Sequence, residues 1–569
     1  MFKLLFLCLC VLGALPLQAV QANADSLTRR LFLDLYDRIP TIDESTKAMA
    51  YIKAGKYENL VNIMMQDDEY LMTLASKMVK HYAPPKAIRT HNFLSYKRLE
   101  GHIKSTYLGK KNDFRKFLGD MIEARGIAAT NPMVLFYSIE EDEPLMAARF
   151  SAQVLGVPIK CAQCHDHKIH PDIVVNDFWS MAAFYKGIKV SLVGDLQSLK
   201  KFEKDFKSKK KDKPVYSKQE STDISNWIDL ELSEKSIYNS FSNEELLGQS
   251  MSHGLTKSAV NKARLKRDDK IMLKAPQLMI SEKKTNLKSL KIDYELDGKQ
   301  YTSTVSQFKR DRKLNEKALP RDVLSQWMAW KEPLYISRAT ANWVTNWLFG
   351  RGWIMPAYDT YKVEGPNATK LDNLAQGFMR SKFNIHFLVK TVLMSNYYRM
   401  KSNIKNDEEK FAFFKARRMR HLSGNQIVNS LNRTPKDIIG EAKSAQDGTD
   451  KLYKIAIYKN SLVEKIFPVS LEDSEASYRG TLTQALKLST DSIFLKYTNK
   501  LAEISYKRFR DHTVEQLLEY LFVKLYTRKP TKNEIAFFKA KIDFSKNYRE
   551  SGVFETTWTI INSPEMRLY

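Results

Sequence analysis
Leu31 to Glu44 reads LFLDLYDRIPTIDE. An apolar helical stretch, LFLDLY, runs into Pro40, which cannot continue it. Thr41 and Glu44 then form a capping box, with Thr41 as N-cap and Glu44 as its reciprocal partner, so a second helix starts at once. Leu521 to Glu534, LFVKLYTRKPTKNE, repeats this punctuation, and eight of the fourteen positions are identical. Each copy leads through further helical stretches, the first to QDDEYL and the second to NSPEMRL. One helical hairpin used twice, near both ends of the chain, predicts a mainly α protein.

Apolar residues recur at helical spacing between and beyond these copies. Helices are expected over 45–54, 57–65, 70–81, 93–108 and 113–124. Another is expected over 144–155, with Pro144 at its start, Gly156 as its C-cap, and a stripe of Leu145, Ala148, Ala152 and Leu155. An aromatic-rich helix is expected over 177–185. Beyond residue 319, helices are expected over 335–349, 369–380, 384–395, 408–419 and 423–432. The texture changes between these regions. Residues 200–213 are lysine-dense and read as a solvated helix or linker. Residues 291–305, KIDYELDGKQYTSTV, alternate around Asp297-Gly298, a hairpin signal. The expected organisation is a signal peptide over 1–24, a helical domain over 25–190, a basic linker with a small β element over 191–318, and a helical domain over 319–569.

The chain has 569 residues, 43% of them hydrophobic and 11% aromatic, which describes a globular protein. It carries net charge +26. Lys3, the apolar run 4–17 and Ala22-Asn23-Ala24 form an export signal with cleavage expected before Asp25. That run is short for a membrane span, and no transmembrane anchor is expected in the mature chain. The periplasm or cell surface is the expected location. A basic exported protein attracts acidic partners, here an acidic redox protein or an anionic polysaccharide, whereas nucleic acid is not expected. The equally simple alternative is a lysine-rich surface with no dedicated ligand. No Gly-rich phosphate loop, GxSxG elbow or HExxH is present, so no catalytic residue is assigned.

Of four cysteines, Cys8 and Cys10 leave with the signal. The remaining two stand in Cys161-Ala162-Gln163-Cys164-His165-Asp166-His167. CxxCH is the attachment pattern of haem c: the two thiols join the porphyrin vinyls and His165 becomes the proximal iron ligand. A local disulfide is a second reading, and a zinc site of Cys161, Cys164, His167 and His170 a third. His167 and His170 lie too close to His165 to reach the opposite haem face. His81 and Met181 are the candidate sixth ligands, and an open sixth position is the remaining choice.

The segment NPMVLFYSIEEDEPLMAARFSAQVLGVPIKCAQCHDH, with LFLDLYDRIPTIDE, resembles the planctomycete cytochrome-like (PSCyt) domain of unknown function. The segment RDVLSQWMAWKEPLYISRATANWVTNWLFGRGWIMP and the closing Asn562-Ser563-Pro564-Glu565 resemble its companion PSD domain. The resemblance covers most of 27–187 and 319–569. It implies a large exported protein with a cytochrome-like motif, without a firm activity. His81 and His167 match family histidines. Lys168 stands where the family carries proline, and Trp347 and Asn367 replace histidines of the second domain. The expectation is therefore an exported mono-haem, c-type cytochrome-like protein of the cell envelope. The alternative is a haem-free envelope scaffold or polysaccharide-binding protein.

Overall fold
The computed structural model describes residues 21–84, 93–109, 112–128, 131–138, 141–193, 277–282, 287, 290–305, 319–328, 333–403, 408–412, 414–427, 429–430, 486, 489–490 and 492–569. Residues 1–20 of the expected signal peptide (1–24) and the lysine-dense 200–213 lie outside them.

The N-terminal helices are α1 (Ala24–Leu35), α2 (Ile42–Lys53), α3 (Tyr57–Met64), α4 (Asp68–Tyr82), α5 (Phe93–Tyr107) and α6 (Phe114–Ile122). Asn23 caps α1 by accepting from Ser26 N at 2.9 Å, so the cleavage expected before Asp25 falls just inside this helix. The capping box forms as read: Glu44 N donates to Thr41 Oγ1 and Thr41 N to Glu44 Oε2.

Strand β1 (Gly126–Ile127) and a 3-10 turn at Pro132–Phe136 lead to α7 (Glu143–Phe150). Helix α7 is extended by a single π turn at Ser151–Leu155. This corrects the expected stripe. An inserted π turn changes the phase of the helix, and Met146, Ala147, Phe150, Val154 and Leu155 are the apolar residues buried, while Leu145 is 40% exposed. Gly156 ends the helix at φ +66, as its C-cap role requires.

Helix α8 (Val175–Ala183) follows. Strands β2 (Ile188–Val193) and β3 (Gln277–Glu282) join β1 in an antiparallel sheet of order β1-β3-β2, which the sequence did not reveal. The hairpin was legible: β4 (Lys291–Leu296) pairs with β5 (Lys299–Thr304) across Asp297 and Gly298, both at positive φ.

The second helical region contains α9 (Pro320–Gln326), α10 (Pro333–Phe349), α11 (Pro366–Arg380), α12 (Ile385–Leu393) and α13 (Asn396–Arg399). Strand β6 (Ser402–Asn403), α14 (Glu408–Ala412) and β7 (Arg417–Arg418) follow, with β6 and β7 parallel. The chain closes with α15 (Ser492–Phe509), α16 (Val514–Tyr526), α17 (Lys532–Lys539), α18 (Val553–Asn562) and a 3-10 turn at Pro564–Arg567.

The protein is thus mainly helical, with small sheets between two helical regions. Packing crosses between those regions. One apolar core runs from Leu27 to Phe414 and takes side chains from both. Arg321 on α9 reaches back to the carbonyls of Ile122 and Ala124 and pairs with buried Glu282 on β3 at 2.9 Å. A second core holds α15 to α18 together with Leu33 and Ile39.

Candidate functional site
The CxxCH sequence forms a 3-10 turn, Ile159–Gln163, closed by Cys164. In a 3-10 helix residues three apart lie above one another. Ile159 and Ala162, both fully buried, form the inward row. Cys161 and Cys164 form another row, and both are exposed free thiols. Burial of one row therefore sets the thiols side by side at the surface.

The turn is held from three sides. Before it, Gly156 approaches the second helical region so closely that a Cβ there would stand 2.0 Å from Thr360 Oγ1, and its carbonyl accepts from Thr360 N at 2.8 Å. Behind it, α8 packs on the turn, and Trp179 Nε1 donates to Gln163 O at 3.1 Å. Trp179 stacks on Tyr294 of β4 at 4.5 Å, and Tyr294 on Tyr301 of β5 at 5.6 Å, so the hairpin buttresses this wall. After it, Asp166 Oδ1 accepts from Val175 N at 3.0 Å and ties the turn to the start of α8.

The histidines have distinct surroundings. His165 is exposed, and its Nδ1 lies 2.8 Å from Asp166 O. A carbonyl only accepts, so Nδ1 carries the proton and the Nε2 lone pair remains as the metal-binding one. His167 is 3% exposed. Its Nε2–H donates to Pro158 O at 3.0 Å, and its Nδ1 accepts from the backbone N–H groups of Ile169 and His170. Both of its nitrogens are occupied in holding the loop. His170 Nε2 pairs with Asp359 at 3.0 Å. Nearby, Tyr361 and Lys362 each donate to Asp172 Oδ2 at 2.6 Å. Burial, then the Asp172 carboxylate, push the Tyr361 hydroxyl far above its ordinary pKa.

Among the described residues, no group of three or more His, Cys, Asp or Glu is arranged to hold a metal ion. The four residues weighed for zinc do not converge: the thiols face outward, and the rings of His167 and His170 are engaged by Pro158 and Asp359. His81, at the end of α4, stacks on Trp343 at 4.8 Å, and burial pushes its pKa down to about 3. Met181 lies in the core at 2% exposure. The donor set does fit haem attachment on the side the structure describes: two free surface thiols on one row, followed by an exposed imidazole with Nε2 unprotonated. Ile169, Val174, Met355 and Tyr358, all exposed, add apolar surface near these residues in the chain or across the His170–Asp359 contact.

Sequence reasoning missed Asp359, Thr360, Tyr361 and Tyr294. No local pattern marks them, since His170 and Asp359 stand 189 residues apart.

Comparison with known families places this geometry. Residues 113–190, which hold the CxxCH turn, match PSCyt2, described as a protein of unknown function (DUF1549). Residues 320–445, which hold Asp359 to Lys362, match PSD1, also described as a protein of unknown function (DUF1553). No curated protein and no solved structure matches the chain. The contacts from Gly156, His170 and Asp172 to residues 359–362 therefore join the two matched segments, and the chain carries a PSCyt2-type domain followed by a PSD1-type domain.

Proposed function
We propose that the chain is a c-type cytochrome-like protein of the cell envelope, with haem joined to Cys161 and Cys164 and His165 as proximal ligand. The observation that carries this reading is the outward thiol row followed by an imidazole whose Nδ1–H is spent on the Asp166 carbonyl. When bound, haem would supply one-electron redox chemistry. The protein's part is to present the thiols and orient the imidazole. Asp166 does both, through its carbonyl to His165 and its carboxylate to α8. Among the described residues, no helix is long and apolar enough to cross a membrane.

The test is the full chain produced with a c-type maturation system. Haem should stay on the protein through denaturation in acid and organic solvent, because thioethers are covalent. Cys161→Ser with Cys164→Ser should abolish retention. Mass spectrometry of the peptide spanning Lys160 to Lys168 reads the adduct directly. A peptide two hydrogens lighter than the dithiol would indicate the disulfide, and stoichiometric zinc the metal alternative; either would remove the redox assignment and favour the envelope scaffold.

A further inference from the structure
The residues just ahead of α1 are built into the fold. Gln21 bridges Met400 in antiparallel fashion, and Ala22 N donates to Arg399 O at 2.9 Å. Ala22 also packs on the large apolar core. Asn23 meets two donors of the first turn of α1. Its Oδ1 accepts from Ser26 N at 2.9 Å, and its carbonyl accepts from Leu27 N at 3.0 Å. Ala24 is already the first residue of the helix.

Cleavage before Asp25 would remove every one of these contacts. Leu27 is buried, and its N–H would lose its acceptor. Loss of an Asn cap weakens a helix. The new α-ammonium on Asp25 would stand at the positive end of the α1 dipole. Much depends on this helix. It places Leu31 and Leu35 in one core and Leu33 in the other. Its Arg30 also donates to the carbonyls of Tyr398 and Met400, next to the residues that Gln21 and Ala22 pair with.

A signal peptidase reads an extended chain before folding, so the fold does not shield Ala24. What the fold shows is which residues the folded protein uses. The sequence holds a second processing signal ahead of them. Leu17-Gln18-Ala19 ends on a small residue at the close of the apolar run 4–17, just after the helix-breaking Pro16.

We propose that the leader is cut after Ala19, so that the mature chain begins at Val20 and keeps residues 21–24 as the cap of α1 and its bridge to Arg399 and Met400. The step is hydrolysis of the Ala19–Val20 peptide bond by a signal peptidase. Water adds across the bond, leaving a carboxylate on Ala19 of the leader and a free amine on Val20. The proposal rests on the export reading above and is independent of haem.

N-terminal sequencing and intact mass of the full chain, expressed with its own leader and recovered from the envelope fraction of a bacterial host, read the site. The expected start is Val20. Ala24→Gln spoils Ala22-Asn23-Ala24 as a processing signal and should leave that start unchanged. Ala19→Gln should keep the leader attached or move the start to Asp25. A parent chain starting at Asp25 would overturn the proposal and leave export intact. An intact Met1 would overturn the export reading, and the proposal with it. Chains released from a removable tag to begin at Val20 or at Asp25 give a measurement that needs no peptidase. In urea the chain from Val20 should have the higher midpoint at equal m. Equal midpoints would show that residues 21–24 do nothing for the folded protein, and would overturn the proposal.

Discussion
His165 and His167 stand two residues apart in one motif and have opposite physical roles. His165 projects into solvent with Nε2 open, so His165→Ala should change stability by no more than about 0.5 kcal/mol. On the proposed haem reading, the same change should remove the proximal ligand, giving poor haem maturation or an altered iron spectrum. His167 joins Pro158 O to the N–H groups of Ile169 and His170 inside the fold. His167→Ala leaves three partly buried backbone groups without this partner, and should cost about 1–3 kcal/mol. Urea titration checks both: the midpoint of His167→Ala falls at unchanged m, while that of His165→Ala stays. Equal losses in the two variants would contradict this division of roles. The motif itself was legible because its residues stand together in the sequence at the CxxCH spacing. The use of His167 was not, since its partner Pro158 carries no chemical signature and a histidine near a haem motif reads first as a ligand. Nor could spacing show that His170 meets Asp359, a contact made only by the tertiary fold.

The two copies of the helical hairpin share a mechanism as well as a sequence. In the first, Tyr36 donates to Met64 O, and Arg38 forks onto Glu44 and Glu69. In the second, Tyr526 donates to Ile560 O, and Arg528 forks onto Glu534 and Glu565. In each, an arginine fastens the capping-box glutamate to the start of a later element, which explains why Tyr, Arg and Glu recur. The capping boxes were legible because Thr and Glu act three residues apart. The second carboxylates, Glu69 and Glu565, were not, because the intervening lengths differ and only packing aligns them. Burial separates the copies: the Arg38 side chain is 2% exposed, that of Arg528 24%. Arg38→Ala should therefore cost about 3 kcal/mol by stranding two carboxylates, and Arg528→Ala about 1 kcal/mol, discounted for solvent screening. The second fork also carries a pH signature. Arg528 first, with Thr531 assisting, holds the Glu534 carboxyl down at about 2, against an ordinary 4.5. A depressed folded-state pKa gives stability that is present above the ordinary value and lost as pH falls from about 4.5 towards 2. Arg528→Ala should flatten that loss. An acid limb of equal slope in parent and variant, measured by chemical denaturation across this range, would count against the fork as its source.

At the scale of the whole molecule, the division into two helical regions that composition suggested is a division of sequence more than of packing. The hairpin marks one place where the chain pauses between helical regions, and periodicity cannot say which faces later meet. Helix α1 shows what was hidden: Leu31 and Leu35 enter the large core shared with the PSD1-matched segment, whereas Leu33 enters the core of α15 to α18. Arg29, on the same helix, donates to Leu525 O at the end of α16 and to Met566 O. A fragment of residues 319–569 would lack α1, Glu282 opposite Arg321, and the π turn at Ser151–Leu155 that packs on α10. Each large buried side chain lost from a core costs about 2–5 kcal/mol, and a whole domain is stable by only about 5–15 kcal/mol. The fragment should therefore fail to melt cooperatively and should bind a hydrophobic dye, while the full chain melts in one transition. Leu33→Ala tests the coupling without truncation. It removes one fully buried side chain from the C-terminal core by a change near the N-terminus. The expected result is a loss of about 3 kcal/mol, read as a shift of one transition followed by both near-UV and far-UV circular dichroism. Two separable transitions, with only one moved by Leu33→Ala, would show that the halves fold independently and that the shared core does not bind them into a cooperative unit.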